Sequence, residues 1–101
     1  MVDKNYWTWT GKYLGYRDAD NLFTYRGRFI GKFHGEEVYG ADGRYLGEEK
    51  SEGRLITNRG KRSWTKPSSG RVSGSLHGKY ANYVAYAMYA GYEDFPGPEV
   101  F

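Results

Sequence analysis

Four basic residues hold one place in a recurring phrase. Lys12, Arg28, Arg44 and Lys61 each follow a glycine: Gly11, Gly27, Gly43 and Gly60. In the first three copies the phrase continues as aromatic, Leu or Ile, then glycine, and the leading glycines are 16 residues apart both times. If the units surround an axis, equivalent positions form a ring, and four cations in a ring attract an anion or a phosphate chain. A base at the start of an exposed strand also has a purely structural use, because it keeps the turn solvated and discourages edge pairing. The two readings differ in geometry: convergence of the four side chains makes a site, and outward splay leaves packing alone.

A second set of cations is contiguous. Residues 54–71 carry Arg54, Arg59, Lys61, Arg62, Lys66 and Arg71 with no acid among them, and Trp64 sits inside. Cations on phosphate with rings under bases is the pairing that nucleic-acid binders use, so Lys61, Arg62 and Trp64 join the candidate anion or nucleic-acid residues. The same stretch also reads as a solvated basic loop. Catalysis has less to build on. His34 and His77 stand alone, without His-x-x-x-His spacing, and adjacent acids such as Glu48 and Glu49 face opposite sides of a strand. With no cysteine, thiol chemistry and Cys-type zinc sites are excluded. The expectation is a non-enzyme without metal or cofactor.

The elements that must position these residues follow from pattern. At 101 residues the chain has room for a single domain with one core, and aromatics at 19% supply much of its apolar surface. Two apolar residues precede each leading glycine by a fixed offset: Tyr6-Trp7, Leu22-Phe23, Val38-Tyr39 and Leu55-Ile56. Each unit thus reads as an apolar pair, a turn ending in glycine, and a second apolar pair, which is a β-hairpin. Units this short cannot bury a face alone, so neighbours must cooperate. The expected fold is mainly β, with four tandem hairpins over residues 6–65. Alternation sends Leu14, Ile30 and Leu46 to a shared core and Tyr13, Phe29 and Tyr45 to the other face, beside Gly15, Gly31 and Gly47. Those glycines serve either as seats for a ring or as points of close backbone approach. The fourth copy departs, since Lys61-Arg62-Ser63 replaces base, aromatic and aliphatic.

Residues 66–78 read as a Ser/Gly-rich connector, and residues 79–101 as a short helix followed by an extended tail. Alanine is the best helix former. Tyr80, Val84, Ala87 and Met88 would lie on one helical stripe, with Gly91 as the stop. The tyrosine–alanine alternation in 85–90 also suits a strand. Rings would then show nearly all round the helix, which leaves Tyr83, Tyr86 and Tyr89 for a partner or a second copy of the chain. Phe95 and Phe101 are the expected anchors of the tail.

Three clean copies of the glycine-aromatic phrase, followed by the Tyr/Ala segment and Gly91-Tyr92-Glu93-Asp94-Phe95-Pro96, resemble the small bacterial family described as four-fold β-flower proteins. The resemblance implies hairpins in a pseudo-four-fold arrangement around an axis and carries no catalytic or binding residues with it. The function expected from the sequence is a non-catalytic module that works by binding or assembly, the alternatives being an anion or nucleic-acid binder and an enzyme of unfamiliar fold. A net charge of +3 permits an acidic partner. No apolar run long enough for a membrane span is present, and the cytoplasm is the expected compartment.

Overall fold

The computed structural model describes residues 2–101. Eight strands form in chain order: β1 (Lys4–Thr8), β2 (Tyr13–Asp18), β3 (Asn21–Thr24), β4 (Phe29–His34), β5 (Glu37–Gly40), β6 (Tyr45–Ser51), β7 (Arg54–Asn58) and β8 (Tyr92–Asp94). Strands β1 to β7 pair antiparallel, neighbour to neighbour. The seventh strand of an up-and-down array runs in the same direction as the first, so the sheet closes through a short parallel pairing of Trp7 with Arg54 and Thr8 with Leu55. Closure removes the free edges that an open sheet would expose. Where β1 ends, β8 takes over the edge of β7, with Ile56, Thr57 and Asn58 opposite Asp94, Glu93 and Tyr92.

The first three hairpins share one construction. The leading glycine ends a three-residue loop and donates its N–H back to the carbonyl of the strand residue just before the loop: Gly11 to Thr8, Gly27 to Thr24, Gly43 to Gly40. Gly11 has φ 96° there, the left-handed conformation that such a loop requires. Across the strands Tyr6 faces Gly15 and Trp7 faces Tyr13, so Leu14 is the extra residue of a bulge. Ile30 and Leu46 occupy the same place in the next two hairpins. As expected, these bulge residues point inward, where Leu14 and Ile30 join Tyr6, Leu22, Val38, Leu55 and Phe95 in the buried core and Leu46 packs against it.

The second glycines serve close backbone approach. A Cβ on Gly15 would lie 1.9 Å from the Phe23 carbonyl oxygen, and one on Gly31 would lie 2.2 Å from that of Tyr39. Tyr13, Phe29 and Tyr45 are not spent on glycines. Each meets its cross-strand partner edge-on, Tyr13 with Trp7 at 5.3 Å, Phe29 with Phe23 at 5.9 Å and Tyr45 with Tyr39 at 5.9 Å between centroids. Such pairs stabilise by about 0.5–1.5 kcal/mol each beyond their buried area.

Two sequence expectations are corrected. The fourth hairpin has no return strand of its own. After Asn58 the chain enters a 3₁₀ turn at Arg59–Lys61, capped by the Asn58 side chain, which accepts from the Gly60 N–H. Arg62 and Ser63 stand where the other units have an aromatic and an aliphatic, so nothing fills the bulge or pairs across the strand. The chain instead joins β6, with Trp64 accepting from the Tyr45 N–H and Thr65 bridging to Arg44.

The second correction concerns residues 79–90, which form no helix. Residues 66–89 make a strap without regular secondary structure that visits the three hairpin loops in reverse order. Lys66 donates its N–H to the Gly43 carbonyl, Gly74 to Gly27 and Tyr83 to Gly11; His77 donates to Tyr25 and Tyr86 to Trp9. Every third residue meets the barrel. Arg71 donates to the Phe29 carbonyl, His77 packs edge-on against Tyr16, and Tyr80, Tyr83 and Tyr86 lie on Tyr13, Trp7 and Trp9. Nine residues of strap advance one 16-residue hairpin unit, from Arg71 on Phe29 to Tyr80 on Tyr13. A period of three belongs to extended, polyproline-like chain. An α-helix would turn tyrosines spaced by three progressively away from the barrel, and alanine's helix propensity, a fraction of a kcal/mol per residue, is outweighed by ring contacts and loop hydrogen bonds.

Candidate anion-binding cleft

Each hairpin loop hands the chain back through its base. Alternation carries Lys12 and Arg28 toward the same side as Leu14 and Ile30, and both line a cleft of 520 Å³ at the loop end of the barrel. Arg26 from the second loop and Lys79 from the strap line it too, together with Tyr25 and the tail residues Glu99 and Phe101. The Arg26 guanidinium carbon lies 5.8 Å and the Lys79 ammonium 6.0 Å from the Tyr25 ring centroid. Lys12 is paired with Glu99, Nζ to Oε1 at 2.5 Å, and that hydrogen bond holds the Glu99 carboxyl below the usual range. Arg26, Arg28 and Lys79 have no carboxylate within 4 Å among the described residues.

The four repeat cations therefore do not form one ring. Lys12 and Arg28 come together, and Arg44 lies apart, exposed and 3.8 Å from Asp42. Lys61 is bound elsewhere. Its ammonium donates to Glu37 at 2.7 Å and to Glu48 at 2.8 Å, and it sits 4.9 Å over the Trp64 ring. Arg62 pairs with Glu93, so the basic stretch is divided among several partners. Arg54 goes inside: it is buried, donates to the Trp9 carbonyl at 3.1 Å and lies 3.9 Å over the Tyr86 ring, tying the strap to β7. Arg26, Lys79 and Tyr25 are cleft residues that pattern reading passed over. Their one signal was placement, Tyr25 and Arg26 inside a repeat loop and Lys79 at the head of the tyrosine series.

The Lys61 cluster gives a pH prediction. Hydrogen bonds to Glu37 and Glu48 hold the Lys61 ammonium above the ordinary lysine range, and the bond from Lys61 holds the Glu37 carboxyl below its ordinary value. A depressed carboxylate contributes stability above its unfolded pKa and loses it as pH falls through the folded value. A raised lysine contributes below its unfolded pKa and loses that contribution as pH rises through the folded value. Urea melts should thus show Lys61→Met less stable than the parent by about 1–3 kcal/mol at pH 7, with the gap narrowing below about pH 4. A gap that stays constant down to pH 3 would contradict the pairing.

His34, on β4, stands edge-on to Tyr39, and His77, on the strap, stands edge-on to Tyr16. Among the described residues no three His, Asp or Glu side chains gather as a metal-holding group. No helix among them is long and apolar enough to cross a membrane.

Residues 2–76 match the family model described as 4-fold beta flower protein. Neither a curated protein nor a solved structure matches the chain. The matched residues hold the whole of strands β1 to β7 and the first part of the strap; Lys79, the tyrosine series and the tail lie beyond them.

Proposed function

We propose that this chain, which belongs to the 4-fold beta flower protein family, is a non-catalytic module that binds a phosphate-bearing anion in the cleft at the loop end of its barrel. One observation carries the reading. Arg26, Arg28 and Lys79, from a loop, a strand start and the strap, share one cleft without a carboxylate partner. Gathering like charges raises the energy of the folded state, and a multivalent anion relieves that repulsion while gaining charge-assisted hydrogen bonds. Arginine suits the task because its planar fork meets two phosphate oxygens at once. In this reading the four-fold plan of the family persists with a reduced fourth quarter, in which β7 borrows β8 as its return strand.

Thermal melts test it with inorganic tripolyphosphate at low salt. A ligand at ten times its Kd stabilises the fold by about 1.4 kcal/mol, which raises Tm by about 5–10 °C in a domain of this size. The shift should shrink as salt rises and vanish in Arg26→Glu/Arg28→Glu. Glu99→Gln frees Lys12 and should enlarge it. No shift at low salt would overturn the reading.

A further inference from the structure

The strap leaves a row of rings half open beside the cleft. Tyr83 lies flat on Trp7, 4.0 Å between centroids and 11° between planes, yet is 55% exposed. Tyr80 lies on Tyr13 at 5.2 Å and 15° and is 51% exposed. In a flat stack one face is covered, so what remains open is the outward face and the rim. Trp7 and Tyr13 are themselves buried and fix the two outer rings from beneath. The row is continuous with the cleft. Lys79, which lines the cleft, precedes Tyr80 in the chain, and Tyr25, also in the cleft, stacks on Tyr13 at 5.9 Å.

We infer that the anion is a single-stranded nucleic acid, its phosphates in the Arg26, Arg28 and Lys79 cleft and its bases on the outward faces of Tyr80 and Tyr83. The inference rests on the cleft reading and adds the ligand class. Cations that track a backbone beside exposed aromatic platforms are the combination by which single strands are held without sequence preference. Spacing favours a single strand over a duplex. Three residues of extended strap span about 9 Å, whereas stacked bases are about 3.4 Å apart along a strand. Bases reach rings so far apart only if splayed outward, as single strands permit and paired duplexes do not. Segment 80–92 itself carries no charge, so it offers stacking surface while the cleft supplies the attraction.

The test uses the full chain and three fluorescein-labelled probes at 50 mM salt, read by anisotropy: a dT 15-mer, an abasic 15-mer with the same phosphates, and a 15-base-pair duplex. The dT strand should bind about tenfold or more tighter than the abasic strand, because stacking is lost with the bases. With three phosphate contacts its affinity should fall about eighteen-fold between 50 and 200 mM salt. Tyr80→Ala/Tyr83→Ala should lose the preference for dT over the abasic strand and still respond to tripolyphosphate, which also reports that the variant is folded; Tyr80→Phe/Tyr83→Phe should keep it. Equal affinity for dT and abasic strands, or for strand and duplex, overturns the inference and leaves the tripolyphosphate reading standing. Failure of every polyanion to bind overturns both.

Discussion

Replacing Gly11 by alanine is expected to destabilise the protein by about 3–4 kcal/mol. Two costs combine at this position. At φ 96° an L-residue is strained, by roughly 1–2 kcal/mol. The new Cβ would also stand 2.1 Å from the Tyr83 carbonyl oxygen, an overlap that only retreat of the strap relieves. Retreat breaks the Tyr83 N–H bond to Gly11 and separates Tyr83 from Trp7, losses on the order of 1 kcal/mol each. Gly35 supplies the control. It has φ 63° and nothing within 4 Å of its Cβ, so alanine there incurs backbone strain alone. Urea melts of the two variants isolate the strap's contribution as their difference, and limited proteolysis should open residues 76–91 in the Gly11 variant first. Equal destabilisation at Gly11 and Gly35 would mean that the strap is not seated on the loops.

Phe95→Ala is the second large effect, expected to cost about 3–5 kcal/mol. The ring is 2% exposed, belongs to the core inside the barrel and stacks on Phe101 at 6.4 Å. A Cβ on Gly47 would lie 2.5 Å from it, so this ring fills the space that glycine leaves in the third hairpin. Its loss reaches beyond the cavity. β8 ends at the residue before the ring, the 3₁₀ turn at Pro98–Val100 follows it, and Glu99 and Phe101 wall the cleft. The variant should therefore melt lower and bind tripolyphosphate with altered affinity. Full parental stability by chemical denaturation would contradict the tail's role as an internal plug.

How much of this was legible in the sequence depends on which face a residue serves. The repeat announces the hairpins, and period-two alternation sends Leu14 and Ile30 to the core they occupy. The bulge that makes each of them the extra residue was not visible, because it depends on how two strands register. On the outer face, Tyr13 and Phe29 could be assigned a side but not a cover, since the cover arrives from more than forty residues downstream. The strap's own signal was present: tyrosines at 80, 83, 86, 89 and 92 keep a period of three. Reading alanine as a helix former overrode it. Propensity is a weak preference that tertiary contacts readily outweigh, while strict spacing of large rings is a statement about what lies beneath them.

The cleft shows the same division. Lys12 and Arg28 were legible as equivalent positions, but equivalence in the repeat did not make four equal side chains. Lys61 is drawn to Glu37 and Glu48, and Arg44 stays out in solvent. What separates the pair that converges from the pair that does not is the chain added over them: Lys79 and Glu99 complete the cleft on the side of the first two hairpins only.

The most direct measurement is a ¹H–¹⁵N correlation titration of the labelled chain with tripolyphosphate at low salt. Shifts should concentrate on Lys12, Tyr25, Arg26, Arg28 and Lys79 and on the tail around Glu99, and should be absent around Arg44, Lys61 and Arg62. Shifts centred on Lys61 and Arg62, or none at saturating anion, would contradict the assignment of the cleft as the binding site.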